Sequence, residues 1–158
     1  TKQYPAALSA YRRALAHWRG APIIRFNRGI TYLHLKRYPQ AEDDFRGAVT
    51  KSPAFGAAWN NLAVVQVRRG HYPKALRSLQ HALRRRMRSP AVWNNLGAVY
   101  LLLRRPADAR RAFERALKLS PGYVPAWRNL ELLRTTAQGQ VPPPQLVLAS
   151  RDGRTLGR

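Results

Sequence analysis

Trp93-Asn94-Asn95-Leu96-Gly97-Ala98-Val99-Tyr100 decides the fold, because its spacing of residue types returns 34 residues away on either side. Upstream it reads Trp59-Asn60-Asn61-Leu62-Ala63-Val64-Val65-Gln66. Downstream it reads Trp127-Arg128-Asn129-Leu130, and one more step back gives Asn27-Arg28-Gly29 with Tyr32. A fixed period of this length is the mark of stacked supersecondary units, none of which buries its apolar face alone.

The columns that follow keep the same frame. Tyr4, Tyr38 and Tyr72 align, each followed by a proline at Pro5, Pro39 and Pro73, with Pro106 and Ala107 in the fourth unit. Ala7, Ala41, Ala75 and Ala109 form a small column, and Ala14, Ala48, Ala82 and Ala116 form another. Between them stand Tyr11, Phe45, Leu79 and Phe113. Small residues at i and i+7 with a large one at i+4 share one helical face. The alanines allow close approach and the large residue fills the space. Gly29, Ala63 and Gly97 permit a tight crossing on the partner helix. Tyr-Pro suits the first turn of the second helix, where proline loses nothing. Pro53 and Pro121, each after a serine, end that helix.

These residues resemble the tetratricopeptide repeat family. The signature is read on Trp93, Leu96, Gly97, Tyr100, Ala109, Phe113, Ala116 and Pro121, and the resemblance covers roughly residues 2–135. It implies an all-α fold, an alpha-alpha superhelix built as a solenoid of antiparallel helix pairs. The array spans residues 1–136: a partial repeat at 1–21, full repeats at 22–55, 56–89 and 90–123, and a terminal helix at 124–136. The first unit lacks its first helix, which reads as a piece of a longer array. Arg28 stands in a column held elsewhere by Leu62, Leu96 and Leu130, and is expected to pack its stem while its guanidinium reaches water. From Ala137 the pattern stops, and Pro142-Pro143-Pro144 with the surrounding Gln and Gly residues reads as a linker or disordered tail over 137–158.

The chain has 158 residues, 45% of them apolar, enough for one domain with a core. It has no cysteine, so disulfides and thiolate metal sites are excluded. Its longest apolar run, Ala98 to Leu103, is too short for a membrane span. The seven acids and four histidines do not form paired-carboxylate or metal-ligand spacings, and no phosphate loop or nucleophile elbow occurs. A non-catalytic role with no cofactor is expected. Glu42-Asp43-Asp44 reads as a solvated face or as partners for nearby arginines.

The net charge is +22, with dense runs at Arg84-Arg85-Arg86-Met87-Arg88 and Arg104-Arg105. That field draws anionic partners. It equally follows from an arginine-rich composition, and the aromatics that a nucleic-acid surface would stack on bases are committed to packing columns.

The most suggestive column is polar: Asn27, Asn61, Asn95 and Asn129. Asparagine is a mediocre helix former, so its recurrence within first helices, which line the concave face of such solenoids, needs a reason. A primary amide both donates and accepts, and a ladder of them matches the N–H and C=O groups of an extended peptide. Phe26, Asn60, Asn94 and Arg128 flank the ladder, and His34 and Arg68 lie two turns on; the alternative is that the asparagines bond neighbouring helices or face water. The column resembles the asparagine ladder in the repeat arm of a glycosyltransferase. The two-carboxylate clamp of chaperone-binding repeats is a poor match, because Phe26, Ile30 and Ala91 replace the lysine and arginine it needs.

The reading is a protein-interaction scaffold that takes an extended peptide or partner helix, with Arg68 and Arg128 favouring acidic ligands. Two alternatives are a substrate-recruiting arm of a larger enzyme and a basic solenoid binding nucleic acid or another polyanion.

Overall fold

A computed structural model describes residues 3–84 and 89–135, and within them the chain is all-α. The order is α1 (Gln3–His17), α2 (Pro22–His34), α3 (Tyr38–Lys51), α4 (Gly56–Arg68), α5 (Tyr72–Arg84), α6 (Pro90–Leu102), α7 (Pro106–Leu119) and α8 (Val124–Thr135). The tail from Ala137, expected to be a linker, and Arg85–Arg88 of the basic run lie outside the described residues.

Each pairing follows from the columns. Helices α2·α3, α4·α5 and α6·α7 pack as hairpins, and each hairpin stacks on the next through α3·α4 and α5·α6. Helices α2, α4, α6 and α8 run side by side on the inner layer, touching only in sequence order. At the heart of the first hairpin, Phe45 sits against Gly29: a Cβ on Gly29 would come within 2.9 Å of the Phe45 ring. A Cβ on Gly97 would run into Phe113 in the same way. In the middle hairpin the pair is Ala63 with Leu79, both buried, where a smaller partner leaves room for a methyl. Large residues such as Phe45, Leu79 and Phe113 are fully withdrawn from water, each worth roughly 2 kcal/mol of burial.

The turns inside the hairpins also repeat. Lys36, Gly70 and Arg104 take left-handed backbone angles, with φ of 57°, 76° and 58°. Arg37, His71 and Arg105 donate their backbone N–H to the carbonyls of Tyr32, Gln66 and Tyr100, each at 2.8 Å. This is the Schellman closure of a helix C-terminus. The turns between hairpins use an indole instead. Trp59 donates its Nε1 hydrogen to the Pro53 carbonyl at 2.9 Å, and Trp127 does so to Pro121 at 2.8 Å.

Two expectations about side chains change. Arg28 does not send its guanidinium to water. It forms a two-pronged ion pair with Asp44, 2.7 Å at both contacts, and Asp44 is buried. Of the two readings of the acidic run, partners for nearby arginines is the one the structure bears out. Glu42 and Asp44 are both buried, and only Asp43 is exposed. Glu42 accepts from Arg46 at 2.7 Å and from Arg69, which lies beyond α4, so it ties α3 to the next hairpin. Burial alone would push the Glu42 carboxyl up, but the bonded Arg69 guanidinium, with Arg46, outweighs it and holds the group below the ordinary glutamate range. Nor are all tryptophans spent on packing. Trp59 stacks on His81 at 4.4 Å, yet Trp18 and Trp127 are exposed.

Candidate functional site

The asparagines do not stand as separate rungs. Asn129 of α8 donates its Nδ2 hydrogen to Oδ1 of Asn94 on α6 at 2.9 Å. Asn94 donates to its neighbour Asn95 at 3.4 Å, and Asn95 donates to Asn60 of α4 at 2.9 Å. Asn60 then donates to Asn61 at 3.1 Å. Five carboxamides on three adjacent inner helices thus form one relay.

The geometry follows from spacing. Consecutive asparagines on one helix project about 100° apart, so one looks forward and the other backward along the stack. Asn94 therefore reaches Asn129 of the following helix while Asn95 reaches Asn60 of the preceding one. All five are buried. Buried amides need partners, and the relay supplies each link with a bond worth roughly 1 kcal/mol net. It accounts for only part of each amide's bonding capacity of two N–H groups and two lone pairs. All five take part in interactions beyond it.

The relay stops between α4 and α2, where Phe26 occupies the column of Asn60 and Asn94. Phe26 is fully buried and packs on Phe45 and Phe55, at ring distances of 5.8 and 4.7 Å. Asn27 is half-buried, and its carbonyl accepts from the Thr31 hydroxyl at 3.1 Å. The charged candidates are not gathered with the amides. Arg68 is exposed at the last turn of α4. Arg128 is exposed on α8 and lines a cavity of about 490 Å³ with Arg110, Glu114, Trp127, Glu131 and Arg134. His34 is turned towards α1, stacked on Tyr4 at 6.4 Å.

Sequence reasoning placed the asparagine column on the inner layer and left open whether its members bond neighbouring helices; in the structure Asn129 and Asn95 bond the flanking Asn94 and Asn60 of adjacent helices. The doubled Asn60-Asn61 and Asn94-Asn95 carried that signal, since one amide per helix cannot link in both directions.

A family model for the tetratricopeptide repeat matches residues 2–58 and 60–124. The chain belongs to the tetratricopeptide repeat family. Its architecture is therefore that of a protein-interaction scaffold. No curated protein sequence matches it. Solved structures agree on the fold. The crystal structure of MamA superposes with a TM-score of 0.79 at 20% identity, over 86% of this chain and 79% of that one. The first repeat domain of Spaghetti (RPAP3), bound to the HSP90 peptide SRMEEVD, gives 0.70 at 19% identity, over 73% and 92%. YrrB, described as a repeat protein with an unusual peptide-binding site, gives 0.71 at 20% identity, over 82% and 66%. Among the described residues, no helix is long and apolar enough to cross a membrane, and no cluster of His, Asp or Glu could hold a metal ion.

Proposed function

We propose that this array is a non-catalytic scaffold whose inner layer holds an extended polypeptide, main chain against carboxamides. The relay through Asn129, Asn94, Asn95, Asn60 and Asn61 carries the reading. It fixes five amides in one orientation, so little ordering entropy remains to be lost when a peptide backbone pairs with them. Each such bond contributes roughly 0.5–1.5 kcal/mol, so several give weak binding that side chains must strengthen. Val64 and Ala98 supply apolar contact beside the amides, and Arg68 favours an acidic group at one end. Asn27 extends the row on α2. Two fold neighbours described as peptide-bound or peptide-binding, RPAP3 and YrrB, agree with this use of the architecture.

The test begins with selection of binding peptides from a displayed random library against the full chain. The selected peptide is then titrated against the native chain and Ala98→Arg, with circular dichroism as the folding control. A guanidinium at Ala98 stands in the path of the peptide and should weaken binding at least tenfold, or about 1.4 kcal/mol. Equal affinity in a folded Ala98→Arg variant refutes the groove.

A further inference from the structure

Five large apolar side chains stand exposed among the described residues: Trp18 at 65%, Ile23 at 43%, Leu119 at 40%, Val124 at 53% and Trp127 at 56%. Scattered singly, such residues are ordinary. These are not scattered. All five lie in, or within one helical turn of, a connection that joins a second helix to the first helix of the next unit, two at α1–α2 and three at α7–α8. In a stack of like-handed units these connections share one edge. Lys51 of the α3–α4 connection accordingly lies beside Gly20 of the α1–α2 connection, 3.8 Å from where a Cβ on Gly20 would stand. The same columns elsewhere hold small or polar residues: Ser52 and Ser120 for Trp18, Ala57 and Ala91 for Ile23, His17 and Lys51 for Leu119, Gly56 and Pro90 for Val124. The fold therefore does not call for these four apolar side chains. Trp127 differs, since its column mates Trp59 and Trp93 are covered by His81 and Arg115 of their own second helices.

Charge on this edge has one sign. None of the seven acids falls within residues 14–25, 48–59 or 116–127. Arg19, Lys51, Arg84 and Lys118 stand there exposed. The ion pairs gather towards the opposite edge, where Arg69 meets Glu42, and Arg105 and Arg111 meet Asp108.

We propose that this edge docks on an anionic lipid surface, with Trp18, Ile23, Leu119 and Val124 entering the interface. The chemistry of the edge selects that partner. An indole settles at headgroup depth and aliphatic side chains just below it. The four bases then lie against lipid phosphates and carboxylates, whose field draws them in. A nucleic acid would use the bases but gains little from Ile23, Leu119 and Val124, which offer no base-stacking face. Apolar pairs at the two ends of the edge hold the array at two points, so each weak contact strengthens the other. The edge is made of helix ends and stands apart from the inner amides, so this docking does not depend on the groove.

The test is co-sedimentation of the full chain with vesicles of phosphatidylcholine alone or mixed with phosphatidylserine. The native chain should bind the mixed vesicles and not the neutral ones. A variant carrying Trp18→Ser, Ile23→Ala, Leu119→Ser and Val124→Ser keeps every base, and circular dichroism checks its fold. It should bind the mixed vesicles about tenfold more weakly or worse, while binding single-stranded DNA and polyglutamate as the native chain does. No binding of the native chain to mixed vesicles overturns the inference. Equal vesicle binding by the folded variant overturns it by leaving net charge as the whole attraction. An equal loss on DNA or polyglutamate overturns it by naming a nucleic acid or an acidic protein as the partner of the edge.

Discussion

Arg28 and Asp44 occupy the places that Leu96 and Ala112 fill two hairpins further on. The first hairpin thus closes with an ion pair, 2.7 Å at each prong, where the third closes with apolar contact. The two solutions make a natural exchange. Asp44→Ala alone strands a largely buried guanidinium and should cost about 3 kcal/mol. Arg28→Leu with Asp44→Ala copies the third hairpin and should restore stability to within about 1 kcal/mol of the native chain. Urea unfolding of the three proteins decides it. A double variant as weak as the single one would mean that the site does not behave like its counterpart.

The bond from Asn95 to Asn60 couples residues on separate helices. Removing either amide leaves the other short of a partner in a buried place. Asn95→Ala and Asn60→Ala should each cost roughly 2 kcal/mol, and the double variant clearly less than their sum. Asn27→Ala, outside the relay, should cost under about 0.5 kcal/mol. A thermodynamic cycle with no coupling would show that the relay does not hold the helices together.

The three left-handed turn residues give a backbone prediction. Lys36→Gly and Arg104→Gly relieve a side chain held at positive φ, and each should stabilise the fold by about 0.5–1 kcal/mol. Gly70→Ala should cost about 1 kcal/mol, although nothing lies within 4 Å of the added methyl. Thermal melts read all three.

Glu42 sets an acid limit. Its folded carboxyl titrates below the ordinary glutamate value because Arg69 and Arg46 favour its charge. The unfolded chain therefore binds this proton first as pH falls. The stabilisation from Glu42 is complete above the unfolded value and is lost on descending through the lower folded one. Glu42→Gln should lower the melting temperature near neutral pH and flatten its fall in acid. Parallel acid slopes for the native and variant proteins would remove Glu42 as a cause.

The hairpin architecture was legible in the chain because the period acts through bulk. Gly29 facing Phe45 and Gly97 facing Phe113 are steric necessities, and steric necessities repeat visibly. The pairing of charges was less legible. Arg28 breaks a leucine column, and the column by itself implies a packed stem with its head in water, because it says nothing of which acid waits opposite. Glu42 and Asp44 bond partners 27 and 16 residues away, distances that no helical periodicity encodes. The amide row was found as a column, but its internal bonding depended on the separation of two inner helices, which only packing sets.

Helix α1 contributes no buried residue, while the amide relay begins two hairpin layers away on α4. In a stack held by nearest neighbours, fraying starts where the fewest contacts resist it. Hydrogen exchange should therefore proceed inward from α1, releasing α2 and α3 before the five carboxamides sense it. The array can breathe at one margin while the other stays intact, so whatever grips α1 from outside acts as a clasp on the whole stack.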